Sequence, residues 1–383
     1  MSRIRSSSPR FLTLILVIAG ALLLPGCLKQ KNDAPPPSFF LTPGDYPVGI
    51  NPTDLKQGDL NQDGLMDLVT ANFGGDTIST LLGNGDGTFQ DEIPTSVGSQ
   101  PKTLELGNFD PDAFPDAAVI HNGHPMLMIL SGNGDGRFRT VQRLKLDKRP
   151  TDLVQGDFNN DGLIDLAVTL IMDRVEIFAG QDDGKFRPWK TFDPGDTPTS
   201  LITMDFNRDG NLDILVAASG QVRPEVAAYS GAGDGTFKKT GSYKGRLRPL
   251  LLDQGDFTGD GITDLVVIFN AQSTLGIFPG KPDGSFGEGK IFGSRGGPTS
   301  VLRYDFDRDG NMDILITNNL SGIFSIAFGK GDGTFDFPLV EYPARKGPFA
   351  SLIGDFTEGG PLALAIANNV SNSVSVFLFL QKN

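Results

Sequence analysis

The chain is poor in the residues that most enzymes and metalloproteins rely on. Its 383 residues include one cysteine, one tryptophan, two histidines and five tyrosines, and glutamate supplies only 7 of the 46 acidic residues. A single thiol, Cys27, excludes an internal disulfide and a zinc site built on paired cysteines. His121 and His124, in "HNGH", have no acidic neighbour in sequence and read as loop residues rather than a zinc pair. Trp189 reads as packing in an outer strand. No P-loop, dinucleotide fingerprint or catalytic-triad motif is present. Positive charge is short as well. A balance of 33 basic against 46 acidic residues gives a net charge of -13 and argues against nucleic acid as a partner.

Long apolar runs are also missing. The longest, Phe11–Leu24 (FLTLILVIAGALLL), is too short for a membrane span. It follows Arg3, Arg5 and Arg10 and runs into "LPGC", the arrangement of an export signal. With Gly26 just before Cys27, residues 1–26 resemble a bacterial lipoprotein signal, and Pro25 departs from the small residue usual at its position. The resemblance implies cleavage before Cys27, lipidation of that residue, and a membrane-anchored protein in the periplasm or at the cell surface. Leu28 after the cysteine permits outer-membrane sorting by the same resemblance. An ordinary secretory signal with an incidental cysteine is the alternative. Residues 27–39, including "APPPS", read as an extended tether. Loss of the three arginines leaves 30 basic against 46 acidic residues, a charge of -16, and such a chain needs cations to relieve its self-repulsion.

What is abundant is glycine (49) and proline (26), spread evenly as in a protein of many turns and short strands. They belong to a repeat. "GDLNQDGLMDL" from Gly58 recurs as "GNFDPDAFPDA" from Gly107, "GDFNNDGLIDL" from Gly156 and "MDFNRDGNLDI" from Met204. It returns as "GDFTGDGITDL" from Gly255, "YDFDRDGNMDI" from Tyr304 and, decayed, "GDFTEGGPLAL" from Gly354. A proline precedes each loop by seven residues, and "GNGDGTF"-like turns end at Phe89, Phe138, Phe186, Phe237, Phe286 and Phe335. Each unit of about fifty residues holds four strand-like segments, as in "PTDLVQGDF", "DLAVTL", "RVEIFAG" and "KFRPWKTF" around an Asp-Gly hairpin turn. Seven such units predict an all-β, seven-bladed β-propeller of four-stranded antiparallel blades over residues 40–383. The seventh unit lacks a fourth strand. Residues 40–52 carry one at the other end of the chain, with Phe40 lying 49 residues before Phe89. That segment should close the last blade and remove the open sheet edges.

The acidic loops have their own chemistry. Positions 1, 3 and 5 of a tightly curved segment aim oxygens at one point, a glycine at 6 permits the curve, the carbonyl at 7 turns inward, and Asp at 9 completes a hard oxygen set suited to calcium. The candidate ligands are Asp59, Asn61, Asp63, Leu65 and Asp67 in the first loop and Asp157, Asn159, Asp161, Leu163 and Asp165 in the third. The fourth offers Asp205, Asn207, Asp209, Asn211 and Asp213, the fifth Asp256, Thr258, Asp260, Ile262 and Asp264, and the sixth Asp305, Asp307, Asp309, Asn311 and Asp313. The second, Asn108, Asp110, Asp112 and Asp116, departs by carrying Pro111 and Ala113. The seventh has no carboxylate at positions 3, 5 or 9 after Asp355 and is expected to hold no ion, so five to six structural Ca²⁺ ions are expected. Ion-free Asx turns are the alternative. The "DG" turns at Asp86, Asp135, Asp183, Asp234, Asp283 and Asp332 read as hairpin turns rather than further metal sites.

These loops and turns resemble FG-GAP (VCBS) repeats, as in integrin α-subunit propellers and many exported bacterial proteins. The resemblance covers residues 40–383 and implies seven blades, calcium between the first and second strands, and ligand binding elsewhere. Alternating strand direction puts the loops between blades on the face opposite the acidic loops. Those loops carry Lys102, Lys148, Arg149, Arg246, Arg248, Arg295, Arg345 and Lys346, with Arg174, Arg223 and Glu225 on adjoining strand edges. An anionic glycan or a protein partner at that face is the expectation, and solvated loop charge the alternative. A non-enzymatic binding or scaffold lipoprotein is therefore expected, with a propeller enzyme acting on polysaccharide as the alternative.

Overall fold

The computed structural model describes residues 39–41, 44–221, 224–244 and 247–380. The signal, Cys27, residues 28–38, Arg223 and Arg246 lie outside the described residues. The described chain forms seven four-stranded antiparallel sheets arranged as the blades of a propeller. In blade three the strands are Pro150–Gly156, Asp165–Leu170, Arg174–Gly180 and Phe186–Phe192, numbered here from the lumen outward. Blade seven is built from Pro348–Gly354, Ala363–Asn368, Ser373–Leu378 and, as its outer strand, Gly44–Pro47. The N-terminal strand pairs from Gly44 with Val376 to Pro47 with Ser373, and Phe40 rejoins the sheet as a single bridge to Phe379. It is shorter than the 40–52 expected. Past Pro47 the chain crosses to the first blade, where Asn51 in a left-handed conformation bonds Asn372 and Asn369.

The seven second strands are buried at every residue because each is sandwiched between neighbouring blades. Accordingly the core is seven clusters, one at each blade interface. One contact recurs in them: an apolar residue at position 2 of an acidic loop meets the turn phenylalanine of the following blade. Phe109 packs edge-on to Phe186 at 5.2 Å, Phe158 to Phe237 at 5.7 Å, Phe257 to Phe335 at 6.2 Å and Phe356 to Phe89 at 5.2 Å. Phe40 plays the turn-phenylalanine role against Phe306 at 6.4 Å, so the expected closure holds for packing as well as pairing.

Six of the seven inner strands begin at proline, which a lumen-facing edge tolerates because no ladder donor is needed there, and that of blade five begins at Leu251, two residues after Pro249. In those six blades the residue after the proline is bulged out of the ladder: Thr53, Lys102, Thr151, Thr199, Thr299 and Phe349. These bulges aim side chains at the lumen or the next blade. Thr53 Oγ1 donates to the Lys102 carbonyl at 2.8 Å, and Thr299 Oγ1 to the Pro348 carbonyl at 3.1 Å. One residue further on, Asp54 accepts the Leu104 amide at 2.9 Å and Asp152 the Leu201 amide at 3.1 Å, each across a blade boundary.

Candidate functional site

Five acidic loops share one curl. Residues at positions 4 and 6 are left-handed in each: Gln62 and Gly64, Asn160 and Gly162, Arg208 and Gly210, Gly259 and Gly261, Arg308 and Gly310. The curl turns the amides of positions 5 and 6 onto the carboxylate at position 1. Asp59 accepts Asp63 and Gly64 at 3.1 and 2.9 Å, and Asp305 accepts Asp309 and Gly310 at the same distances. Asp157, Asp205 and Asp256 do likewise. The position 5 carboxylate accepts the amide of position 7, as Asp161 does from Leu163 at 2.9 Å.

Asp at position 9 has a second function that the sequence did not suggest. Asp67, Asp116, Asp165, Asp213, Asp264 and Asp313 are buried at the start of second strands. One oxygen of Asp165 accepts the Phe158 amide at 3.0 Å and the other the Gly180 amide at 2.9 Å, and the other five repeat the pattern. Each ties its loop to the end of the third strand without any ion. The amide donor of that second bond is always a glycine. A Cβ on Gly180 would stand 2.2 Å from the Ile164 carbonyl oxygen, and on Gly329 2.2 Å from that of Met312. The signal was the glycine that opens "GNGDG", "GQDDG" and "GKPDG" in six units.

The donor chemistry suits a hard cation. Burial, joined by the charges of Asp63 and Asp59, pushes the Asp67 carboxyl up to about 6. Asp165 and Asp313 are pushed to about 6 for the same reasons, and Asp116, Asp213 and Asp264 are also raised. Thr258 Oγ1, at position 3 of its loop, is closed off from solvent without a hydrogen-bond partner. In the second loop Pro111 and Ala113 stand where the others are left-handed, and proline cannot follow. Oxygens of Asp110, Asp112 and Asp116 nevertheless come within 4.8 Å of one another there, as do those of Asp305, Asp307 and Asp313. In the seventh loop Ala363 replaces the ninth aspartate.

The inter-blade face carries less free charge than its sequence suggested. Lys148 pairs with Asp173, Arg295 with Glu341, and Arg345 with Asp45, the last at 3.2 Å. Arg248 donates to the Ser219 carbonyl at 3.0 Å. Arg149 and Lys346 are exposed. Lys102 is not a loop residue at all: as a bulge in the inner strand of blade two it enters the lumen, and its ammonium bonds the Thr151 carbonyl. Of the adjoining residues, Arg174 pairs with Asp147 and Glu176, while Glu225 is buried against Lys239 and Ser242. His121 is likewise not a loop residue. It ends the second strand of blade two, fully buried, where blades one, six and seven have Asn72, Asn318 and Asn368. His124 bonds Ser99 at 2.8 Å. The "DG" aspartates accept the amide two residues on, for example Thr88 to Asp86 at 2.9 Å, as hairpin turns do. Trp189 packs in the outer strand of blade three against Gly235 of the next blade.

The lumen was not singled out in the sequence. It is a cavity of about 700 Å³ lined by all seven inner strands. Lys56 and Glu105 form an ion pair at 2.9 Å in its wall, and Arg303 and Asp253 form another at 2.7 Å. Burial raises the Glu105 and Asp253 carboxyls despite these partners, and it lowers the Lys102 ammonium.

A model of the FG-GAP-like repeat matches residues 59–119, 108–168, 157–216 and 256–316, more than half of the chain. The protein belongs to that family. No curated protein matches the chain. Among solved structures, the fold is similar to BBS1N in a complex with ARL6DN, with a TM-score of 0.65, 14% identity, and coverage of 91% of this chain and 99% of that one. A Lactobacillus plantarum protein has a TM-score of 0.60 at 14% identity, covering 80% and 88% of the two chains. A catalytically inactive virginiamycin B lyase from Staphylococcus aureus, solved with quinupristin, has a TM-score of 0.55 at 12% identity, covering 88% and 100%.

Proposed function

We propose that this protein is an exported, lipid-anchored, non-enzymatic binding or scaffold propeller whose acidic loops hold five or six structural calcium ions. The observation that carries the calcium reading is the shared curl of five loops, in which backbone amides are the main answer to the carboxylate at position 1, together with the approach of Asp305, Asp307 and Asp313 oxygens to within 4.8 Å of one another in the sixth loop. Bound calcium would supply the missing positive charge. Asp59, Asn61, Asp63 and Asp67, with the Leu65 carbonyl, would hold it in the first loop, and the corresponding residues in the others. The protein's own contribution is rigidity, because each loop and its ninth aspartate join two strands of one blade and the turn before the fourth. The binding reading draws support from the family and from BBS1N, a propeller solved in complex with another protein. The partner, a protein or a glycan, would engage the inter-blade face, where Arg149 and Lys346 are exposed. Calorimetric titration of the metal-free protein with calcium tests the first half. Five or six equivalents with a large rise in Tm are expected, and no uptake with an unchanged melt would overturn it.

A further inference from the structure

We infer that the lumen of the ring binds carbohydrate, taking a short neutral oligosaccharide end-on through its inter-blade mouth. This rests on the binding-module reading and names both the ligand class and the place. The cavity spans the first to fifth residues after the inner-strand prolines and includes Phe73, from a loop of the inter-blade face, but no residue of the acidic loops. Its volume of about 700 Å³ lies in the range of small-molecule sites.

The wall sorts into groups already committed and groups still open. Asp54 and Asp152 accept the amides of Leu55 and Leu104, and of Leu153 and Leu201. The two ion pairs are different. Lys56 and Arg303 each have N–H groups beyond those that reach Glu105 and Asp253, and each carboxylate keeps lone pairs, although Asp253 Oδ1 also accepts the Gln254 amide at 2.8 Å. A sugar hydroxyl donates and accepts at once, so a surface offering both suits it better than it suits a simple ion. Lys102 adds an ammonium that donates to the Thr151 carbonyl with Asp152 and Asp54 near by, and Thr103 also lines the wall. Phe349, Leu250, Leu251 and Ile202 line other parts of the lumen, an apolar counterpart for the C–H face of a pyranose. Charge decides against acidic sugars: the lining holds four carboxylates, Asp54, Glu105, Asp152 and Asp253, against Lys56, Lys102 and Arg303.

The test is calorimetry and saturation-transfer NMR of the full chain with maltotriose, cellotriose and chitotriose, alongside trigalacturonate. At least one neutral trisaccharide should bind. Thr103→Trp, which fills the lumen while sparing the wall hydrogen bonds, should weaken it at least tenfold. Glu105→Gln provides a milder second variant, expected to weaken binding with a retained melt. Binding that survives Thr103→Trp but is lost in Lys346→Glu would overturn the lumen site while sustaining a ligand at the outer face. Preference for trigalacturonate, or no binding of any neutral trisaccharide, would also overturn it, leaving the calcium titration and a protein partner as separate questions.

Discussion

At Asp165 one carboxylate receives the amides of Phe158 and Gly180 while also standing ninth in its loop. Removing it leaves two buried donors unpaired, so Asp165→Ala should lower stability by about 3 kcal/mol even without calcium. Asp161→Asn, at an exposed ligand position, should cost little without calcium but reduce uptake by one ion. Chemical denaturation with and without the metal separates the two. The raised carboxyls give a pH dependence of unusual sign. Asp67, Asp165 and Asp313 lie near 6 in the folded protein, above the ordinary unfolded value of about 3.9. The folded state therefore binds protons more readily, and the metal-free protein should gain stability as pH falls from 7 through 6 toward 4. The calcium-dependent rise in Tm should shrink over that same interval, because the ligands must be deprotonated to hold the ion. Melting curves at several pH values, with and without calcium, would show the two trends diverge.

Glycines that look alike in the sequence differ at the scale of the element. Gly162 is left-handed with open space around its missing Cβ, so Gly162→Ala should cost about 1–2 kcal/mol, from backbone strain. Gly180→Ala meets a carbonyl oxygen at 2.2 Å and must push the third strand off the loop. It should be the more damaging of the two, by melting temperature. Much of the blade was legible in advance, because strand alternation, Asp-Gly turns and the proline and phenylalanine spacings all express one repeated geometry. Three things were not. The bulge after each proline redirects Lys102 from loop to lumen, and bulges leave no mark on composition. The partners that neutralise Lys148, Arg295 and Arg345 lie 25 residues away at Asp173, farther at Glu341, and at the other end of the chain at Asp45. His121 opens "HNGH", which reads as a turn, yet it takes the strand-end place that Asn72 fills in blade one.

For the whole molecule, the ring is closed by a strand from the opposite end of the chain. Phe40 meets Phe306, Phe324, Tyr342, Phe377 and Phe379 within 6.4 Å but is only half-buried, so Phe40→Ala should cost less than the roughly 3–5 kcal/mol of a fully buried phenylalanine. Removing residues up to Pro47 should lower Tm further and promote self-association through the bared edge of Ser373–Leu378, visible by light scattering. A circular permutant should behave in the opposite way. The Leu380 amide already donates to the Phe39 carbonyl at 2.7 Å, so a short linker there, with new ends after Val48, should preserve the fold and melt.

The closing strand also sets how the ring bears load. It runs from Phe40 on the acidic-loop side to Pro47 toward the inter-blade side, lengthwise against its partner. Tension between the N-terminus and anything gripped at the inter-blade face is directed along that strand. Its hydrogen bonds and the half-buried Phe40 ring then resist in shear, sharing the force together instead of parting one after another. The noncovalent seam of the ring is thus oriented as a mechanical clasp.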